Sequence, residues 1–186
     1  MLFRSIGEIE GIINNLLDWT RDARLERNEY ELRRILDPVV EAAAAEGRAR
    51  GVLVGYGRLE REVAAAVDGQ KLRQVFTNVM KNALEAIEPR RERPGRVTVD
   101  LFVEGERAVV EVVDDGVGIS PDDRDKIFLP FFTTKPAGTG LGMSIVKKIV
   151  DLHAGDIAID SAPGRGTRVR ISLPAAVVTP VAGGSS

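Results

Sequence analysis

The chain has 186 residues, 44% of them hydrophobic, with 26 basic and 28 acidic residues and a net charge of −2. That length suits one ordinary domain with an appendage, and the near-neutral balance supplies no basic field for nucleic acid. The absence of cysteine and the single histidine exclude disulfides, thiolate metal sites and multi-histidine metal sites.

Met1-Leu2-Phe3-Arg4 lacks the basic-then-apolar pattern of a secretion signal. No apolar run reaches the roughly 18 residues needed for a membrane helix, so a cytoplasmic location is expected. Leu2, Ile6, Ile9, Ile13, Leu16, Thr20 and Ala23 alternate in steps of four and three, which predicts an amphipathic helix over residues 2 to 25 with a coiled-coil seam. Ile12, Leu17 and Trp19 widen that face toward a helical bundle. We read it as a dimer-forming helix; packing on its own domain would give a similar stripe. Residues 21 to 30 read as a charged connector. Asp37 before Pro38 reads as an N-cap with proline at the first helical position, the helix running through Glu41 to Glu46 and stopping near Gly47. An earlier turn at Glu31 to Leu36 is compatible with the pattern.

Val52-Leu53-Val54 and Arg61 to Val67 suggest short strands. Asp68 is placed to cap a long helix to Ile87, ended by Pro89. Val97 to Val103 and Ala108 to Val113 form a hairpin about Glu104-Gly105-Glu106. Gly140 to Leu152 reads as a helix closed by Gly155. Ile157 to Asp160 and Arg168 to Leu173 form a second hairpin about Pro163-Gly164-Arg165-Gly166. Residues 175 to 186 show no periodicity and read as a flexible tail. The expected fold is α+β, a two-layer α/β sandwich with helices on one face of a mixed sheet, preceded by a long amphipathic helix. The expected divisions are 1–27, 28–174 and 175–186.

Four patches carry the chemistry. On the helix after Asp68, Gln74, Asn78, Asn82 and Glu85 make a polar stripe apart from the apolar one, with Lys81 beside it. Two amides one turn apart are unusual on a wet helix face, because Asn is a mediocre helix former. An amide oxygen suits Mg²⁺, a hard cation. Asp114-Asp115-Gly116-Val117-Gly118 follows a strand, where a carboxylate can accept a proton from a base amino group and glycine lets a ligand near the backbone. Phe128 to Lys135 packs three Phe around Pro130 and ends in Thr-Thr-Lys. Gly138-Thr139-Gly140-Leu141-Gly142 opens a helix, whose free N–H groups favour phosphate. It is neither a Walker loop nor a dinucleotide fingerprint.

These patches, in this order, resemble the catalytic ATP-binding domain of sensor histidine kinases, within the wider family of Hsp90, MutL and type II topoisomerases. The run Pro130 to Pro136 and the short segment before Gly138 look like the nitrogen-regulation type. The resemblance covers roughly residues 30 to 174 and implies ATP held between helices and sheet. It implies Asn82 as principal Mg²⁺ ligand with Asn78 in support, and Lys81 near phosphate. Glu85 is implied as orienting or structural. Asp114 takes the adenine amino group, with Asp115 the weaker choice, and Gly116 and Gly118 shape the pocket floor. The stretch that includes Phe131 begins a lid over ATP, with Lys135 on phosphate. Gly138, Thr139, Gly140 and Gly142 line the phosphates, Leu141 packs beneath the loop, and Thr167 lies near adenine. Where Hsp90-like and MutL-like relatives have a water-activating glutamate, this chain has Asn78, which cannot act as a general base. That favours a phosphoryl donor over an efficient ATPase.

The family's phosphoacceptor is a histidine followed by an acidic residue. His153, in Asp151-Leu152-His153-Ala154-Gly155, does not match it and reads as a cation capping a helix C-terminus. Ile12 to Asp18 resembles the second helix of a dimerisation and phosphotransfer hairpin. The resemblance therefore implies a protein histidine kinase whose acceptor lies outside this chain, so that the fragment does not label itself. Homodimerisation through the first helix, a phosphoacceptor domain and a response-regulator receiver are its implied partners. An ATP-binding regulatory module without kinase activity is the alternative. An anti-sigma-type serine kinase is a third reading, disfavoured by the leading helix.

Overall fold

The computed structural model describes residues 25–87, 94–135 and 138–176. The leading helix expected over residues 2 to 25 lies outside them, save Leu25, which is not helical. The described chain runs β1 (Asn28–Glu31), α1 (Leu32–Ala49), β2 (Val52–Leu59), β3 (Ala64–Val67), α2 (Gly69–Ala86), β4 (Gly95–Glu104), β5 (Arg107–Asp114), α3 (Pro121–Arg124), α4 (Gly142–Leu152), β6 (Asp156–Ser161) and β7 (Thr167–Pro174).

Five strands form one mixed sheet in the order β2-β4-β5-β7-β6, with β2 parallel to β4 and the other pairs antiparallel. Both expected hairpins are present. On the covered face lie Val97, Val99 and Leu101 of β4, Ala108, Val110 and Val112 of β5, and Val169, Ile171 and Leu173 of β7, all buried. Alternation with period two puts them on one side. Helices α1, α2 and α4 cover that side, and α2 packs against both others. Its buried residues Leu72, Val75, Phe76, Val79, Met80, Ala83 and Leu84 mark it as the central helix. This is the expected two-layer sandwich. The opposite face carries Glu111, clamped by Arg168 at 2.6 Å and Arg170 at 2.7 Å. Among the described residues no helix is long and apolar enough to cross a membrane.

The Asp68 cap forms as expected, its Oδ1 accepting from the N–H groups of Gln70 and Lys71. Asp37 does not cap. Helix α1 starts at Leu32, so Pro38 sits inside it. Leu32, Ile35, Leu36, Val39, Val40 and Ala43 form one buried stripe. Burial of that stripe outweighs the roughly 3 kcal/mol that an interior proline costs. Asp37 instead accepts a hydrogen bond from the Tyr56 hydroxyl at 2.7 Å and pairs with Arg33. The helix stops at Ala49, near Gly47 as expected, but Gly47 is not its terminus. It is buried within the helix, where a Cβ would stand 2.8 Å from the carbonyl oxygen of Val52.

The expected connector holds strand β1, paired antiparallel with β3. The start of the expected tail is also ordered: Ala175 bridges Ala65, and Ala176 N–H donates to the carbonyl of Ala64.

Candidate functional site

The site grows from the end of β5. Register sets Asp114 opposite Thr167 of β7. Asp114 is 6% exposed, and its Oδ1 accepts from Gly116 N–H at 2.9 Å and Thr167 N–H at 3.2 Å. Burial pushes this carboxyl up to about 6. The two backbone donors pull the other way, Asp115 adds to the rise, and Lys135 opposes it.

The turn after Asp114 is fastened to the helix layer. Val117 N–H donates to the carbonyl of Ala86, the last residue of α2, at 2.9 Å. A Cβ on Gly116 would sit 2.5 Å from that same oxygen. Gly118 (φ +73) and Gly166 (φ +80) hold left-handed backbone, where a side chain would also meet backbone oxygens of Ala162 and Asp114 at 2.0 Å. Both positions therefore demand glycine. Ser161 ties the pieces together. Its Oγ donates to the Gly166 carbonyl, accepts from Ile119 N–H, and lies 3.0 Å from Thr167 Oγ1. Sequence reasoning missed Ser161 and Gly166. The adjacent Pro-Gly-Arg-Gly turn was the only signal, and it spoke of a turn rather than a site.

The second cluster sits on α2. Lys135 Nζ lies 2.6 Å from Glu85 Oε2 and 3.5 Å from Asn82 Oδ1, and Lys81 Nζ lies 3.8 Å from Glu85 Oε1. Asn82 and Glu85, three residues apart, share one helix face. Together they present oxygens that already hold a cation, the Lys135 ammonium. Oxygen donors with one carboxylate fit a hard divalent ion. Asn78 does not join this group; its Nδ2 donates to the Gly142 carbonyl at 3.4 Å, at the start of α4.

The loop before α4 is built of close contacts. Thr133 Oγ1 accepts from Lys135 N–H, Gly138 N–H donates to the Lys135 carbonyl, and Thr139 Oγ1 accepts from Leu141 N–H at 3.4 Å. Leu141 is buried, as expected. Helix α4 starts at Gly142, two residues later than expected, and among the described residues no side chain caps it. Its first N–H groups therefore need an outside partner. Phe131 is 64% exposed and has φ +66, an outlier for a bulky residue. Its backbone touches Gly140, leaving no room there for a Cβ.

His153 is buried. Its Nε2 accepts from Asp68 N–H at 2.9 Å and its Nδ1 donates to the Ile149 carbonyl at 2.7 Å. A backbone N–H can only donate, so the ring is neutral with its proton on Nδ1. Burial lowers its pKa, in agreement. The expected cationic cap is thus corrected to a neutral bridge between the ends of α2 and α4. Neither nitrogen is offered to a phosphoryl group.

Residues 67–177 match the family model described as histidine kinase-, DNA gyrase B- and HSP90-like ATPase. Among curated proteins, the chain is 30% identical over 175 residues to sensor histidine kinase ZraS of Salmonella typhi, covering 94% of this chain and 37% of that protein. It is 40% identical over 115 residues to nitrogen regulation protein NtrY of Azorhizobium caulinodans, covering 60% of this chain and 15% of that one. Among solved structures it resembles the catalytic domain of histidine kinase ThkA, with TM-score 0.70, 28% identity and coverage of 80% and 95%. The chain spans less than half the length of the curated relatives it matches.

Proposed function

From the premise that this chain belongs to the histidine kinase-, DNA gyrase B- and HSP90-like ATPase family, as the catalytic ATPase domain of a sensor histidine kinase, we propose how its residues hold Mg-ATP and pass on the γ-phosphoryl group. Asp114 Oδ2 accepts a hydrogen bond from the adenine amino group, since Oδ1 already carries two backbone donors. Thr167 and Ser161 extend that hydrogen-bond network. Gly116 and Gly118 leave the base room to approach the turn. At the other end Asn82 is the principal Mg²⁺ ligand, and Lys81 and Lys135 meet phosphate oxygens. Asn78 supports the site by holding the start of α4 against α2. The glycines around Thr139 and Leu141 and the uncapped start of α4 give N–H donors to the phosphate tail. Phe131 stands exposed at the border of that loop. When bound, Mg²⁺ neutralises charge that builds on the β- and γ-phosphates.

A histidine nitrogen from a phosphoacceptor domain outside this chain would attack the γ-phosphorus, and the bond to the β–γ bridging oxygen would break to leave ADP. The chain's own part is positioning. Asn78 supplies no base to activate water, and His153 has both nitrogens engaged. The part up to residue 27 would belong to a dimerisation and phosphotransfer region, its last three residues outside any helix, and residues 28–174 would be the catalytic domain with its tail beyond. In the whole protein a response-regulator receiver would take the phosphoryl group onward, in the cytoplasm. The observation that carries this reading is Asp114, held at its strand end by Gly116 and Thr167, facing the turn tied to the same helix that presents Asn82.

The test is ATP titration with and without Mg²⁺, repeated with Asn82→Ala, followed by radiolabelled ATP with a histidine-bearing helical hairpin added in trans. Mg²⁺-dependent binding lost in the variant, with label on the hairpin and none on His153, is the expected result. Stable label on His153 would sink the assignment. A binding change without phosphoryl transfer would favour a purely regulatory ATP-binding module, the reading that Asn78 also permits.

A further inference from the structure

Two ammonium groups, Lys81 and Lys135, converge on a single carboxylate, Glu85. The closer of them also reaches the Asn82 amide oxygen. The pairing of Lys135 with α2 spans 50 residues of sequence and closes the phosphate-side loop onto the helix. A surface lysine with no such role would be free to solvate, since an exposed pair contributes only about 0–1 kcal/mol. Here the positive charge rests where Asn82 and the carboxylate jointly point. Asn82 alone offers a neutral oxygen, whereas Mg²⁺ is commonly held through one or two carboxylates besides phosphate.

We propose that Glu85 is a second protein ligand for the divalent cation, beside Asn82, and that the Lys135 ammonium stands in for the metal while nucleotide is absent. Arrival of Mg-nucleotide exchanges one cation for the other. The metal takes the Glu85 and Asn82 oxygens, and Lys135, released from its carboxylate, turns to the phosphates that came with it. No charge is stranded in either state. Lys81 stays within reach of Glu85 in both. This rests on the nucleotide reading above and adds to it a residue and a competition.

The experiment measures ADP affinity by calorimetry in EDTA and in saturating Mg²⁺, for the wild-type chain and for Glu85→Gln, Glu85→Asp, Lys135→Met and Asn82→Ala. Thermal melts establish that each variant is folded. Glu85→Gln should lose about tenfold of the affinity gained from Mg²⁺, as losses around a metal site run roughly 10- to 100-fold, while its affinity in EDTA does not fall. Glu85→Asp should recover part of the gain. In the nucleotide-free protein Lys135→Met should bind Mg²⁺ more tightly in a calorimetric titration, because no ammonium competes for the oxygens, while its ADP affinity in saturating Mg²⁺ falls, because no released ammonium meets the phosphates. A full Mg²⁺ gain in Glu85→Gln, or an unchanged Mg²⁺ affinity of nucleotide-free Lys135→Met, overturns the proposal and leaves the nucleotide reading intact. Wild-type protein that binds no ADP, or an Asn82→Ala variant that keeps the whole gain, overturns both.

Discussion

The two ends of the site are made differently. Around Asp114 nearly everything is backbone: two N–H donors, a strand register and two left-handed glycines pressed against carbonyls. Around Asn82 the parts are half-exposed side chains in charge pairs, with Lys135 39% and Glu85 32% accessible. The first end is rigid because moving it would break the sheet. The second can rearrange, because exposed ion pairs exchange partners at little cost. A base is the same shape in every nucleotide state, whereas a phosphate tail changes charge and length. The contrast matches the nucleotide in the reading proposed above.

The sharpest way to break the comparison is Gly166→Ala. Its Cβ would meet the Asp114 carbonyl at 2.0 Å with φ at +80, so about 3 kcal/mol of stability should disappear, read by denaturant unfolding. A stability within 0.5 kcal/mol of wild type would show that the base end yields as readily as the phosphate end.

Next is Asp114→Asn, which should split binding from stability. ATP affinity should fall by about 10- to 100-fold, the worth of a charged hydrogen bond. The fold should gain at pH 8. A carboxyl raised from 3.8 to about 6 on folding adds stability that is fully present below its unfolded value and lost as pH rises through 6. Above that range the buried charge costs about 2 to 3 kcal/mol, which the neutral amide avoids. Melting curves from pH 4 to 8 should therefore be flatter for the variant. In wild type, ATP binding should weaken as pH falls through about 6.

Lys135→Ala is a smaller change. We expect ATP affinity lower by about three- to tenfold and stability unmoved within about 1 kcal/mol, since both partners are partly exposed. Raising salt should erode that affinity difference. Lys81→Ala, whose pairing with Glu85 spans 3.8 Å, should cost less than about threefold in titration. If Lys81 proves the costlier loss, it and not Lys135 is the main phosphate contact at that end.

The base end was legible in the sequence where it depends on residue type: a carboxylate after a β-branched strand, then glycines. It was illegible where it depends on register. Ser161 and Gly166 matter because β6 and β7 deliver them beside Asp114, and no local pattern says so. The phosphate end gave up its residues but not their pairing, because Glu85 and Lys135 meet only after folding. In the scaffold, the alternation of β4 and β5 and the Asp68 cap are strong local signals. The Asp37-Pro38 signal was stronger than its truth. The apolar stripe that begins at Leu32 carried the helix straight through a proline that local chemistry would place at its start. Strand β1 was hidden because Asn28 and Glu29 read as solvated connector and Glu31 as the start of a helical turn, and only Tyr30 hints at pairing.

Strand β3 has a neighbour on each flank, β1 near the beginning of the described residues and Ala175 near their end. Strand β1 and Ala175 thus lie about 10 Å apart, two strand spacings, at a single corner. The domain hangs from that corner like a pendant on a clasp. Modules joined before and behind it could swing or be swapped without dragging the nucleotide cleft out of shape.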